Sequence, residues 1–308
     1  MESTSATFTI LITTKNRIED LKFTLIKIQH LLDRNDVECI VCDDGSVDKT
    51  SIFLQVNYPD IQLIRNSRSK GLIYSRNRLL SLVTTLFAIS IDDDLHFITQ
   101  QPLEFIAQYF EKNVNCGLIG FRIFWGLNEP ISVVSKEIPI AMQSFAGGAH
   151  VWRMQAWKTV PNYPEWFVFY GEEDFASFQL FRNNWEIHYL PDVLVHHRVD
   201  IKARKNHADY SLRLRRSLRS GWYLYFLFLP FRLIPRLLIY SIWMQLKSKV
   251  FKADWKALVA ILLAIMDLML AILKIIKNSN RLTNTEYVAY QKLALTKLYW
   301  KPEDEINS

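Results

Sequence analysis

At 308 residues, half of them hydrophobic, the chain is long enough for one large domain with an appendage and too apolar to be disordered. The formal charge is only +6, yet 13 Lys/Arg stand against 2 Asp/Glu between Arg198 and Lys252, so a net-acidic front is joined to a basic rear suited to an anionic partner. An odd number of cysteines, three, argues against a disulfide framework.

In chain order, Phe8–Thr13 reads as a strand and Arg17–Leu32 as a helix with Leu21, Leu25, Ile28 and Leu32 on one stripe. Val37–Cys42 is a strand ending in Asp43-Asp44-Gly45-Ser46. Its Cys39 and Cys42 point to opposite faces, as core residues rather than a redox pair. Asp48–Val56 is a helix, Ile61–Arg65 a strand, Ile73–Leu82 a helix, and Leu86–Ile91 a strand ending in Asp92-Asp93-Asp94. This alternation predicts an α/β fold with a Rossmann-like, mostly parallel sheet and helices on both faces. Both acidic clusters fall at carboxyl ends of strands, where such sheets bind ligands. No GxGxxG follows the first strand, so a dinucleotide site is not indicated. Further on come a helix at Pro102–Lys112, a strand at Cys116–Phe124 and a loop facing the site at Leu127–Met142. Phe145–Trp152 is a strand with a close-approach point at Gly147-Gly148, Glu173–Arg182 a helix and Glu186–Leu190 a strand.

The carboxylates carry the chemistry. Asp92 and Asp94, two apart after a buried strand, suit a hard divalent cation, though an isolated acidic triplet is more often a solvated turn. Asp43 or Asp44 could accept from a nucleobase or ribose, or Ser46 or Asp48 could simply cap the next helix. Glu172, Glu173 and Asp174 suit a helix dipole, or Asp174 could serve as a general base. Of His196 and His197, one at most faces the site.

The succession Ile12-Thr13-Thr14-Lys15-Asn16-Arg17, Cys42-Asp43-Asp44-Gly45-Ser46, Ser75-Arg76-Asn77, Ile91-Asp92-Asp93-Asp94, Gly171-Glu172-Glu173-Asp174 with Arg182, Leu190-Pro191-Asp192 and His196-His197 resembles glycosyltransferase family 2 over roughly residues 7–200. The resemblance implies a GT-A fold, inversion at the anomeric centre and a Mn2+ or Mg2+ cofactor. It implies that Thr13, Lys15, Arg17, Asp43 and Asp44 line the nucleotide, and that Arg76, Asn77 and Asp93 serve the donor side. It further implies that Asp92 and Asp94 form the DxD motif, with His197, or else His196, near the metal, and that Asp174 is the catalytic base with Glu173 beside it. Thr13 stands where the family usually has Pro. The QxxRW pattern of processive synthases is missing, so transfer of a single sugar is expected. The donor would be UDP-, dTDP- or GDP-linked. A non-catalytic nucleotide-sugar-binding protein and a metal-dependent nucleotidyltransferase are the alternatives.

Beyond a boundary placed near residues 200–210, the expected organisation is a catalytic domain at 1–205 and a helical rear at 206–308. Trp222–Leu246 holds Arg232 and Arg236 with two prolines, which disfavours a membrane span. Ala257–Leu273 reads as an amphipathic helix with Asp267 on its small-residue stripe, in the plane of a membrane or packed on protein. The basic and aromatic rear predicts peripheral, monotopic attachment to an anionic membrane surface, and no nucleic acid as partner. The start of the sequence, without a basic-then-apolar segment, fits the cytoplasmic face of the plasma membrane. A lipid-linked or membrane-proximal saccharide is the matching acceptor.

Overall fold

The computed structural model describes residues 6–200 and 209–302; the expected boundary at 205/206 lies outside the described residues. Strands β1 (Phe8–Thr14), β2 (Val37–Asp43), β3 (Gln62–Arg65) and β4 (Phe87–Asp92) alternate with helices α1 (Ile18–Leu32), α2 (Thr50–Asn57) and α3 (Leu72–Leu80). Next come β5 (Leu95–Phe97), α4 (Pro102–Lys112), β6 (Cys116–Trp125), β7 (Ile140–Ala141), β8 (Ala149–Arg153), α5 (Met154–Trp157), α6 (Glu172–Arg182) and β9 (Glu186–His197). Among the described residues they form one nine-stranded sheet in the order β3-β2-β1-β4-β8-β6-β9-β5, with β7 also on β9. The expected α/β architecture is present. Pairing is parallel through β3-β2-β1-β4 and between β6 and β9, and antiparallel at β8, β5 and β7.

The parallel strands are continuous apolar runs because both faces are covered. Ile10, Ile12, Cys39, Val41, Ile89 and Ile91 join one core with Leu21, Leu25, Ile28 and Leu31 of α1. Leu11, Ile40, Cys42 and Ala88 join the other. Cys39 and Cys42 thus lie on opposite faces, free and buried. Leu31, rather than the expected Leu32, closes the buried stripe of α1.

The rear is helical: α7 (Tyr210–Phe228), α8 (Ile234–Ser248), α9 (Trp255–Leu270), α10 (Ile272–Asn278) and α11 (Asn284–Gln291). Pro230 falls in the break after α7, and Pro235 in the first turn of α8, where its missing N–H costs nothing. These helices share the second core. Phe178 of α6 stacks on Phe228 of α7 at 4.8 Å and on Tyr290 of α11 at 4.7 Å.

Candidate active site

Register brings the acidic residues together. Thr13 pairs with both Cys42 and Asp92, so β1, β2 and β4 end on one edge of the sheet. After β4 the chain turns through Asp93 and Asp94 into β5, whose Leu95 lies opposite His197 of β9. That pairing sets His197 Nε2 3.2 Å from Asp94 Oδ1, with the Trp125 ring edge-on to the imidazole at 5.5 Å. His196 faces away and bonds the Gly126 carbonyl at 2.8 Å. The choice that the sequence left open therefore falls on His197.

Asp92, Asp94 and His197 each offer a ligand atom, all within 4.8 Å of one another. Buried Asp94 Oδ1 has no well-formed hydrogen bond despite its nearness to His197. Two carboxylates, an imidazole and an unsatisfied oxygen fit a divalent cation of the Mg2+ or Mn2+ kind. Arg17 supplies positive charge, 2.8 Å from both Asp93 and Asp94. Burial pushes the Asp94 pKa up, but the nearness of His197, then the charge of Arg17, outweigh it and hold the group below the carboxylate range. Burial dominates at Asp93 and raises it to about 7, against the pull of Arg17. It also raises Asp92, against Arg76.

A second group, His96, Glu129 and His196, is equally close-knit. There Arg198 donates to His96 Nδ1 at 2.9 Å, so Nε2 of the neutral ring carries the proton and offers a metal no lone pair. Burial, ahead of His196 and Arg198, lowers the His96 pKa to about 4 and keeps that ring neutral. Lys27 already pairs with Glu129 at 2.9 Å. This group holds β5, β9 and the loop after β6 together.

Arg76 is the hub of this site. Its side chain is 5% exposed; it meets Asp92 Oδ1 at 3.0 Å, Glu172 Oε1 at 3.1 Å and the Gly147 carbonyl at 2.7 Å. It thereby ties the end of β4 to the start of α6. Glu173 lies against Gly147: a Cβ there would fall 2.1 Å from Glu173 Oε1. A side chain at this position would have to push the Glu173 carboxylate aside. Asp174, one residue around the helix, has an exposed surface but lies against Ser144 and Tyr290, and burial of its carboxyl raises its pKa as well, against a hydrogen bond with Ser144. Glu173, not Asp174, is set beside Arg76. Burial first, then Glu172, raise the Glu173 pKa well above the usual range against Arg76.

Several expected nucleotide contacts are already spent inside the protein. Asp43 accepts from Ser46 N at 2.7 Å and from the Ser51 hydroxyl. Asp44 takes Asn66 Nδ2, Ser69 Oγ, Lys70 N and Gly71 N, so it shapes the loop before α3 rather than presenting a free acceptor. Asn77 holds both the N–H and the carbonyl of Tyr163. Arg17 is committed to Asp93 and Asp94, and Thr14 donates to Asp93 Oδ2 at 2.8 Å. Thr13 and Lys15 remain at the rim, half-buried and exposed. A surface recess lined by Leu32, Val37, Tyr58 and Gln62 lies at the opposite end of β2 and holds none of these groups.

One feature had no signal in the sequence. Val168 and Tyr170 both adopt φ 68°, just before Gly171 at φ 85°. A β-branched residue in that region costs on the order of 1–3 kcal/mol and persists only where the surroundings enforce it. Here Arg219 and Ser220 of α7 donate to the carbonyls of Phe167 and Phe169. The rear helix thus holds the strained turn from which Glu172 and Glu173 emerge.

No curated protein matches the sequence. In fold, the chain is similar to GalNAc-T7 with UDP, GalNAc and Mn2+ (14% identity, TM-score 0.56, 74% of this chain and 49% of that one). It is similar to the mannosyltransferase PcManGT from Pyrobaculum calidifontis in complex with GDP-Man and Mn2+ (14%, 0.55, 93% and 79%). It is also similar to S. aureus TarS 1-349 in complex with UDP-GlcNAc (16%, 0.52, 71% and 66%). The chain spans about half the length of GalNAc-T7. These likenesses establish a GT-A glycosyltransferase fold. The model of glycosyl transferase family 2 matches residues 9–169, more than half of the sequence, and the chain belongs to that family.

Proposed function

We propose that the protein transfers a single sugar from a nucleotide-sugar donor to an acceptor hydroxyl, with inversion and with a divalent cation. The reading rests on one observation: Arg76 joins the Asp92–Asp94–His197 group to the helix start bearing Glu173. Asp92, Asp94 and His197 would hold Mg2+ or Mn2+. When bound, the ion would offset charge on a leaving nucleoside diphosphate. Glu173 takes the proton of the acceptor hydroxyl while that oxygen bonds to the anomeric carbon. The bond to the diphosphate oxygen breaks on the opposite side of the sugar, which inverts the centre. Its raised pKa makes Glu173 a stronger base than an ordinary carboxylate. Thr13, Lys15 and Arg17 line the nucleotide side, and Asp43, Asp44 and Asn77 shape it from behind.

The donor is a UDP, dTDP or GDP sugar. The acceptor is a lipid-linked or membrane-proximal saccharide at the cytoplasmic face of a membrane, as in cell-surface glycan or glycolipid synthesis. The basic and apolar rear supports that placement. A donor panel tests the reading: release of UDP, dTDP or GDP should require an acceptor and Mn2+ or Mg2+, and NMR should show an inverted product. Release unaffected by chelation, or a retained configuration, would reject it.

A further inference from the structure

The bent pair of helices α9 and α10 is built inside out for a protein in water. Its small residues face inward: Ala257, Ala260 and Ala264 are buried, and close packing on α7 follows. Its one acid also faces inward. Asp267 takes two hydrogen bonds from Arg215, at 2.7 and 2.6 Å, and lies 3.6 Å from Arg219. The charge that interrupts the apolar run in the sequence is therefore neutralised against α7 and is missing from the outer face. That outer face carries Leu262, Met269, Leu270, Leu273 and Ile276, each more than half exposed. Helix α8 adds exposed Ile239, Tyr240 and Trp243. In water so much large aliphatic surface is unfavourable and marks a contact site.

Charge selects the occupant. Exposed Lys252 and Lys256 flank the start of α9, while Lys274 and Lys277 lie on α10 beyond a 57° bend. Lysines at both ends of an aliphatic face, beside Trp255, match the headgroup and acyl layers of one leaflet, and anionic headgroups add about 1 kcal/mol for each basic residue near the surface.

We propose that the outer face of α9 and α10, extended by α8, docks on an anionic lipid bilayer. It lies along one leaflet, with Asp267 sealed inside by Arg215 and Arg219. This deepens the placement proposed above and rests on it for its meaning, but its test uses no catalysis. Full-length protein is sedimented with vesicles of equimolar phosphatidylglycerol and phosphatidylcholine, and with phosphatidylcholine alone. Wild type should bind the anionic vesicles and bind the neutral ones more weakly. Leu262→Glu and Leu273→Glu, both at exposed positions, should each lower anionic-vesicle binding roughly tenfold or more, since each removes an apolar side chain that docking would bury and adds an anion. Val114→Glu, exposed at a loop after α4, is the control and should bind as wild type. Circular dichroism should be unchanged in all three. Unaltered vesicle binding by both α9–α10 variants would overturn the proposal, as would equal binding to neutral vesicles. So would a wild-type dimer that Leu273→Glu turns into a monomer, since a second copy would then cover this face.

Discussion

Gly147→Ala is the smallest change that reaches the centre of the site. Its new methyl carbon would sit 2.1 Å from Glu173 Oε1 and 3.0 Å from Arg76 Nη1. Non-bonded atoms of this kind settle at about 3.5 Å, so the carboxylate must retreat by roughly 1 Å or more. Glu173 yields because its end is flexible, while Arg76 is pinned by Asp92, Glu172 and a carbonyl. The folded state should therefore lose only the usual overpacking cost, about 1–3 kcal/mol, seen as a fall of a few degrees in Tm. Turnover should lose more, about 10²-fold, because a 1 Å displacement of a reacting group costs that much. Affinity for the nucleotide donor with Mn2+, measured by calorimetry, should change little. Gly221→Ala is the matched control, since nothing lies within 4 Å of its added methyl. If Gly147→Ala keeps turnover within about twofold of wild type while remaining folded, Glu173 does not act from the position described.

Two further outcomes follow from the same contacts. The pH profile of kcat/KM should show an ascending limb above the ordinary glutamate range of about 4.3, because Glu173 must be ionised to accept a proton and its pKa is raised. Activity thus rises as pH rises through that pKa, and Glu173→Gln should flatten the limb; a wild-type limb at the ordinary value would contradict the burial argument. Phe228→Ala should destabilise the whole molecule by about 3–5 kcal/mol in urea titration, as it empties the fully buried slot between Phe175 and Phe178. A loss below about 1 kcal/mol would mean that the rear helices are not part of that core.

The parts of the fold that were legible are those set by one-dimensional pattern. β1 to β4 are apolar runs between helices with clear stripes, and Asp92–Asp94 closes one of those runs. Strand β5 was not legible, because three residues, Leu95–Phe97, are too few to show a period and read as the flank of the acidic turn. Strand β9 continues past Pro191, where the sequence predicts an end at Leu190. The register against β6 jumps from Leu190 to Leu194 there, a bulge that accommodates the proline and carries the strand on to His197. The site was legible as residue types but not as partnerships. Asp44 and Asn77 carry polar groups suited to a ligand, yet loops from elsewhere in the chain satisfy them. Arg17 goes to Asp93 and Asp94, because unpaired carboxylates at a strand end need a counter-charge. Glu173 and Asp174 differ only by a step around a helix, and the packing of Gly147, a distant residue, distinguishes them. Asp267 reads as a polar interruption until Arg215 and Arg219 are seen across from it.

The central claim is that Glu173 removes the acceptor proton while Asp92, Asp94 and His197 serve the donor. Turnover and donor affinity of Glu173→Gln and Asp174→Asn, measured side by side with saturating Mn2+, test it most directly. Glu173→Gln should bind the donor as wild type does and lose about 10²–10⁴-fold in kcat, the range for a general base, while Asp174→Asn should stay within about tenfold of wild type. Near-normal turnover by Glu173→Gln, together with a collapse in Asp174→Asn, would contradict the account and return the role to Asp174.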